Sequence, residues 1–329
     1  MKKSYCCEKL EKTLHFLPEE IKFCCSCAEG LGVKIKDYSK IDKKEVISAK
    51  KNYIKQLKNG IIPKQCQGCI EIKESEPSKQ SLFEKFLKKE KQYSVSHIIV
   101  DHYKQCDCFC VYCSQKILHP DVTQNYDLLP IVEQLYEQNL LSKQSLVVEF
   151  QGGNVSMLKE FDNLLKIFYA NNCREFRILM NGIKYLPVLE TISYDLNSFV
   201  SISLDSGTRE TFHKIKGVDA FEKVISNVRI LQEKTGIGLS FKYIFVLGIN
   251  DNKEEVLKFI NVVSTFSNVF HVVFEIDYRN TFMSGDNSFK MPYSYIELFS
   301  FAKNKCKEFG LNYISYDYTN NLLVNLSQD

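Results

Sequence analysis

The chain has 329 residues, 44% of them hydrophobic, so it is long enough to bury an ordinary core without disulfides. Its 43 Lys and Arg nearly balance its 40 Asp and Glu, and a net charge of +3 argues against a nucleic-acid or membrane-surface partner. No stretch has the apolar length of a transmembrane helix, and the charged first sixteen residues predict no export signal. Thirteen cysteines then predict a reduced, cytoplasmic protein in which clustered thiols are more often metal ligands than disulfides.

The cysteines are concentrated early in the chain, since eleven of the thirteen precede residue 114. We predict a small cysteine-rich domain over residues 1–75, with one helix near 42–58 and metal supplying part of its stability. A charged stretch with Pro and Ser, residues 76–92, predicts a linker, and residues 93–329 form the main domain. Cys173 and Cys306 stand alone and are interpreted as inert buried thiols.

Short apolar runs alternate with amphipathic helical patterns through the main domain. Such alternation predicts a parallel sheet covered by helices, an α/β fold with its active site at the carboxyl ends of the strands. Six units are too few for a closed eight-stranded barrel, which leaves a partial (β/α)6 barrel or a doubly wound sheet. The predicted strands are 97–100, 146–150, 176–180, 199–204, 240–247 and 271–276, the helices between them include 128–141, 158–170, 220–234 and 254–266, and a helix at 293–309 and a strand at 311–315 close the domain.

A dense group of cysteines directly follows the first predicted strand. Cys106, Cys110 and Cys113 have the spacing C-x3-C-x2-C, short enough for one loop to hold three corners of a four-iron cluster. An ordinary electron-transfer cluster of this kind has four cysteine ligands. Three thiolates therefore leave one iron open to a substrate or cosubstrate. Zinc is the alternative if Cys108 is the fourth ligand, although structural zinc sites usually pair ligands far apart in sequence.

This spacing, with the aromatic Tyr112 just before the last cysteine, resembles the signature of the radical S-adenosylmethionine (radical SAM) superfamily. The resemblance implies a partial barrel and a [4Fe-4S] cluster on Cys106, Cys110 and Cys113. It also implies that the open iron binds the amino and carboxylate groups of S-adenosylmethionine, which the reduced cluster cleaves to a 5′-deoxyadenosyl radical. Cys108 is then a packing or neighbouring thiol.

The second predicted strand ends in Gly152, Gly153 and Asn154, which resemble the Gly-Gly-Glu motif of the same superfamily. By this resemblance the glycines let the backbone approach the methionine end of the cosubstrate. Asn154 departs from the usual Glu, and its carbonyl accepts from an ammonium without charge assistance, a loss of roughly 1 kcal/mol. The alternative is that the two glycines simply form a tight turn.

Polar residues also follow later strands. Ser201, Ser203 and Asp205 alternate with apolar residues and share one face, where they could bind hydroxyl groups. The resemblance to the superfamily implies that these positions contact the ribose or the substrate. The alternative is a helix start capped by Ser206 or Thr208, and the two are compatible.

Other polar positions at strand ends complete the candidate cosubstrate site. Asn250, after the fifth strand, lies in a stretch that resembles the adenine loop of the superfamily, and Asn181 lies in a similar turn. On the sixth strand Glu275 and Asp277 share a face that points either at substrate or outward.

A second set of thiols lies upstream and suits either zinc or an iron–sulfur cluster. This stretch is similar to the SPASM or twitch modules that carry auxiliary four-iron clusters, although here it precedes the radical SAM domain instead of following it. The resemblance implies a second, auxiliary [4Fe-4S] cluster. The preferred ligands are Cys7, one of Cys24 and Cys25, Cys66 and Cys69, with Cys6 and Cys27 as alternates.

The resemblance implies an enzyme that abstracts hydrogen from a small-molecule, sugar or peptide substrate, reduced by a donor such as flavodoxin or ferredoxin. The auxiliary cluster would accept an electron or bind the substrate. Candidates for the residue that returns a hydrogen atom are Cys108, Tyr243 and Tyr278. Two other classes compete with this one: a non-catalytic electron carrier with two iron–sulfur clusters, and an interaction module stabilised by zinc.

Overall fold

The computed structural model describes residues 3–24, 31–37, 39–69, 71–75, 95–113, 126–143, 145–277, 293–316 and 319. The chain forms two compact units. Unit 1 contains residues 1–103, 122–152 and 158–175, and unit 2 contains residues 104–121, 153–157 and 176–329. The predicted linker, 76–92, lies outside the described residues, and the predicted domain division stays a prediction. None of the described helices is long and apolar enough to cross a bilayer.

Unit 1 contains five strands that lie side by side in the order β7-β6-β2-β3-β4. β2 runs parallel to β6, and β6 runs parallel to β7, whereas β2, β3 and β4 form an antiparallel meander. A separate antiparallel pair joins β1 to β5. The strands are β1 Tyr5–Cys6, β2 Thr13–Phe16, β3 Glu20–Lys22, β4 Gly32–Lys34, β5 Lys73–Glu74, β6 His97–Val100 and β7 Val147–Phe150.

The helices of unit 1 bury apolar side chains such as Leu10, Ile54, Leu135 and Phe168. The longest of them begins after Asp42, whose carboxylate accepts hydrogen bonds from two backbone N–H groups of the first turn. A short 3₁₀ turn, Lys64–Cys66, follows this helix. The helices are α1 Glu8–Lys12, α2 Lys43–Lys58, α3 Leu129–Glu137 and α4 Phe161–Ala170.

The N-terminal strands β2 to β4 are not in the sequence prediction. β2 alternates polar and apolar residues, Thr-Leu-His-Phe, although all four are buried, and four residues are too few for this alternation to indicate a strand by itself. Through its parallel pairing with β6, this N-terminal segment extends the sheet of the first barrel strand. Its apolar residues are therefore buried in a shared core instead of a core of their own.

Unit 2 contains five parallel strands in the order β12-β11-β10-β9-β8. Aromatic rings of β10 and β11 form its centre, where Tyr243 packs against Phe245, Phe259 and Phe274. The elements are β8 Glu175–Met180, β9 Phe199–Ser203, α5 Arg209–Lys216, α6 Phe221–Lys234, β10 Gly238–Phe245, α7 Lys253–Val263, β11 Val269–Ile276, α8 Tyr293–Glu308 and β12 Tyr313–Ile314.

The predicted α/β class with parallel strands is confirmed. The six predicted barrel strands correspond to β6 through β11, and no boundary differs by more than two residues. Asn154, Asn181, Asp205 and Asn250 therefore follow the ends of strands, where sites of parallel sheets lie, whereas Ser201 and Ser203 lie within β9. Cys173 and Cys306 are buried as predicted, and burial raises the pKa of Cys306 to about 12.

Candidate functional site

The predicted cluster ligands lie in unit 2 on residues 104–113, which we call the cysteine loop. The N–H groups of Phe109 and Val111 donate to the carbonyls of Lys216 and Ile215, at 2.8 and 2.9 Å. At the other end, the N–H of Asn154 donates to the carbonyl of Gln105 at 2.7 Å. These backbone bonds hold the loop on both sides of its cysteines.

Hydrogen bonds connect Cys106, Cys108 and Cys110 of the cysteine loop. The N–H of Cys108 donates to Sγ of Cys106 at 3.4 Å. A hydrogen bond with the Cys108 thiol lowers the pKa of Cys106 to about 7 and that of Cys110 to about 6, while the pKa of Cys108 is raised. Cys113 lies one turn further on, with its N–H donating to the Cys110 carbonyl at 3.1 Å. The loop therefore favours thiolates at Cys106 and Cys110 and a neutral thiol at Cys108.

The loop fits a cluster held by three thiolates better than a zinc ion. Tetrahedral zinc with Zn–S bonds of about 2.3 Å requires sulfurs about 3.8 Å apart. Cys106, Asp107 and Cys108 do place their ligand atoms within 4.8 Å of one another, but this group contains only two sulfurs. Cys106, Cys110 and Cys113 form no such close group, and all three are partly exposed, whereas Cys108 is buried. Wider spacing is what the corners of a cuboidal cluster need.

Two glycines lie where chain segments approach closely. In unit 1, Gly152 has a positive φ of 105°, and a Cβ there would lie 2.3 Å from Oδ1 of Asp101. In unit 2, a Cβ at Gly153 would lie 2.2 Å from the carbonyl oxygen of Gln105 in the cysteine loop. A side chain at either position would collide with neighbouring protein atoms. Both positions therefore require glycine whether or not a cosubstrate is bound.

Asn154 and Asn181 meet at the cysteine loop, as part of one buried network. Nδ2 of Asn154 donates to Oδ1 of Asp107 at 2.9 Å, and Nδ2 of Asn181 donates to the same oxygen at 2.6 Å. Nδ2 of Asn181 also lies 3.2 Å from the sulfur of Cys108 and 3.9 Å from that of Cys106. Two residues predicted from separate strands are thus brought to the cluster ligands.

Asp205 lies just beyond β9 in the left-handed region, with φ of 57°, and is fully buried. Its carboxylate accepts hydrogen bonds from the Lys216 ammonium, the Tyr112 hydroxyl and the N–H of Ile244. The ammonium of Lys216 also donates to the Tyr112 hydroxyl at 2.7 Å. The carboxylate of Asp205 is therefore engaged within the protein, where it anchors the signature tyrosine.

Lys216 is a functional residue that the sequence did not reveal. Burial by itself lowers the pKa of its ammonium, but the negative charges of Asp205 and Cys110 outweigh burial and keep that pKa above its usual value. The hydrogen bond with Cys108 is the largest cause of the lowered pKa of Cys110, and the positive charge of Lys216 lowers this pKa further.

The helix start predicted as the alternative for this stretch is also present, because Thr208 caps α5 by accepting from the N–H of Thr211.

Asn250 closes the turn after β10 and is fully buried. Its Nδ2 donates to the carbonyls of Asp205 and Ile244, and its Oδ1 accepts from the N–H of Val246. All of its polar atoms are thus engaged in shaping the turn. The exposed part of this loop is Leu247, 64% exposed.

The remaining unit 2 candidates occupy different surroundings. Ser201 is buried and Ser203 is half-buried on β9. Glu275 and Asp277 are both buried, so neither points out to solvent, and Glu275 accepts from the N–H of Tyr316 and the hydroxyl of Thr319. The hydroxyl of Tyr243 donates to the Asn250 carbonyl at 2.6 Å inside the core. Tyr278 lies outside the described residues.

The second set of thiols is assembled in unit 1. Burial, with smaller contributions from neighbouring thiols of the set, raises the pKa of both Cys7 and Cys66 to about 11. Those neighbours include Cys24 and Cys69 in both cases, so the four side chains are close enough to interact. No three of these four described sulfurs lie within 4.8 Å of one another. Cys6 is half-buried in β1, and Cys25 and Cys27 lie outside the described residues.

Known proteins with similar sequences and folds point to one superfamily. Residues 100–263 match the family model of the radical SAM superfamily. A probable GTP 3′,8-cyclase of Saccharolobus islandicus is 29% identical over 132 residues, which are 38% of this chain and 40% of that protein. The chain thus matches less than half the length of this curated relative.

Solved structures agree on the fold. SuiB of Streptococcus suis bound to its precursor peptide SuiA superposes with a TM-score of 0.53 at 14% identity, over 82% of this chain and 62% of that one. Another SuiB structure gives 0.52 at 12% identity, over 96% of this chain and 71% of that one. At this identity the likeness concerns the fold alone, and the predicted partial barrel is confirmed. With the cysteine signature and the family match, the chain belongs to the radical SAM superfamily of enzymes.

Proposed function

We propose that this protein reductively cleaves S-adenosylmethionine to a 5′-deoxyadenosyl radical, which abstracts hydrogen from an organic substrate. The observation that carries this proposal is the cysteine loop, in which three partly exposed thiols at the superfamily spacing are held by backbone bonds at both ends. Cys106, Cys110 and Cys113 would hold a [4Fe-4S] cluster that supplies the electron for cleavage.

The surrounding residues serve this site by orientation and charge. Lys216 and Asp205 fix the hydroxyl of Tyr112, and the Lys216 ammonium partly offsets the negative charge of the thiolates. The buried thiol of Cys108 can donate its one hydrogen to the sulfur of Cys106 or to that of Cys110, which favours the thiolate form of these neighbours. Because radical chemistry must exclude water and fix one C–H bond, a preorganised loop of this kind supports a catalytic function over an electron carrier.

We further propose that Cys7, Cys24, Cys66 and Cys69 hold an auxiliary [4Fe-4S] cluster of SPASM or twitch type. Four interacting thiols are a complete ligand set for such a cluster. No three of their sulfurs lie within 4.8 Å of one another, whereas tetrahedral zinc brings its sulfur ligands to about 3.8 Å. This arrangement supports iron–sulfur over a zinc-stabilised module.

The proposed substrate is a peptide, with oxidation assisted by the auxiliary cluster. Support comes from the SuiB fold, which matches nearly the whole of this chain and has been solved with a precursor peptide bound. We also propose a cytoplasmic location and an electron donor such as flavodoxin or ferredoxin, because thiol-rich sites of this kind need reducing surroundings.

Anaerobic chemistry tests the main proposal. Reconstituted protein given dithionite and S-adenosylmethionine is expected to form 5′-deoxyadenosine, measured by liquid chromatography, and to contain iron and sulfide near eight per chain, roughly two four-iron clusters. Colourless protein that contains zinc alone and forms no 5′-deoxyadenosine contradicts the proposal. Protein that contains both clusters but does not bind S-adenosylmethionine in a calorimetric titration supports the electron carrier instead.

Replacing Cys66 by alanine tests the auxiliary site separately. We expect iron and sulfide to fall by about half, because one of two clusters loses a ligand, while 5′-deoxyadenosine still forms at the first site. Cys306→Ala is the matched control, since this thiol is equally buried and lies in α8, and it is expected to keep all the iron. Unchanged iron in Cys66→Ala contradicts the auxiliary ligand set.

A further inference from the structure

A carboxylate of the cysteine loop is held by the two asparagines of the site. Oδ1 of Asp107 accepts from Nδ2 of Asn154 at 2.9 Å and from Nδ2 of Asn181 at 2.6 Å. Asn154 also donates to the hydroxyl of Ser156, and its own Oδ1 lies 3.4 Å from the N–H of Asn181. The amide of Asn154 is thus turned with its donor toward Asp107, and its carbonyl oxygen already has a partner.

Among the described residues of unit 2, none supplies a positive charge that pairs with Asp107. Its two described hydrogen-bond donors are neutral amides, both on Oδ1, and no described residue of the unit donates to Oδ2. One carboxylate oxygen lies within 4.8 Å of the sulfurs of Cys106 and Cys108. At such distances like charges disfavour one another. A loaded cluster with its thiolates therefore leaves the site in need of a cation.

We propose that Asp107 binds the ammonium group of S-adenosylmethionine and replaces the glutamate that superfamily members usually have at the position of Asn154. This assignment rests on the proposed function and names a residue that determines cosubstrate binding. The structure explains how the exchange works. Asn154 and Asn181 orient the carboxylate of Asp107 through one oxygen and leave the other for the ligand.

The position of Asp107 suits this role. It lies between Cys106 and Cys108 on the same loop as the cluster ligands, so the carboxylate is fixed relative to the iron that the cosubstrate would reach. A carboxylate gives the ammonium a hydrogen bond between opposite charges, which the neutral amide of Asn154 cannot supply. Asp107, a residue of the cysteine loop, therefore compensates for the weaker cosubstrate binding expected from Asn154 alone.

The test compares two ligands and three proteins. The ligands are S-adenosylmethionine and an analogue in which hydrogen replaces the amino group. The proteins are the iron-loaded wild type, Asp107→Asn and the exposed control Asp162→Asn, with dissociation constants from anaerobic calorimetry and iron content measured in parallel. Loss of a hydrogen bond to a charged group typically weakens binding by roughly ten- to a hundredfold.

We expect the wild type and Asp162→Asn to prefer S-adenosylmethionine over the analogue by that factor. Asp107→Asn is expected to bind both ligands equally, at the affinity of the analogue, with its iron unchanged. A preference that persists in Asp107→Asn overturns the assignment, and so does loss of iron, because Asp107 then acts by holding the metal. Wild-type protein that binds neither ligand overturns the proposed function, and this assignment with it.

Discussion

Replacing Cys110 by alanine is expected to abolish 5′-deoxyadenosine formation. Cys110 is the middle ligand of the triplet, and its thiolate is favoured by the hydrogen bond from Cys108 and by the charge of Lys216. Two remaining thiolates cannot hold a cluster that already has one iron without a protein ligand. We expect iron and sulfide to fall by about half, with the auxiliary site still loaded, and product to fall below detection in the anaerobic assay.

Two further variants make this result specific. Cys173→Ala removes a buried thiol from unit 1 and is expected to keep full yield. Cys108→Ala removes the fourth thiol of the cysteine loop, and because Cys108 is buried and neutral we expect iron to be retained. Wild-type yield in Cys110→Ala contradicts the ligand set. Loss of iron in Cys108→Ala, at a level equal to that in Cys110→Ala, shows that Cys108 is a ligand after all.

The barrel strands were predictable because their short apolar runs recur between amphipathic helical patterns. β6 was predicted at its observed bounds, and the others within two residues. β10 is buried along almost its whole length and appears as a nearly continuous hydrophobic stretch, whereas β8 alternates buried and half-buried residues. β3 and β4 are three residues each, too short for any periodicity to develop. β3 pairs with β2, and β4 pairs with β3, so both strands depend on partners that the sequence does not show.

The cysteine ligands were predictable for a similar reason, because their spacing is local. Contacts between distant segments were not. Tyr112 and Lys216 are 104 residues apart, and Asn154 and Asp107 are 47 apart. Asp205 is fully buried, and a buried carboxylate requires a counter-charge. Nothing in the sequence selects Lys216 among 43 basic residues.

Replacing Lys216 by methionine is expected to destabilise the protein by about 3 to 5 kcal/mol, because it leaves the buried carboxylate of Asp205 without its counter-charge. Both side chains of this pair are almost completely buried. Methionine keeps the length and helix propensity of lysine, so the charge is the main change. The free energy of unfolding, measured by urea titration under anaerobic conditions, gives the size of the loss.

The neighbouring Lys214→Met is the matched control, since Lys214 is exposed on the same helix and should change stability by less than about 0.5 kcal/mol. The double variant Asp205→Asn with Lys216→Met should recover part of the loss, because asparagine is neutral and tolerates the positive φ of this position. The two substitutions are then coupled, as expected for a buried ion pair. If Lys216→Met is as stable as Lys214→Met, or if the double variant loses the sum of the single losses, Lys216 does not act by neutralising Asp205.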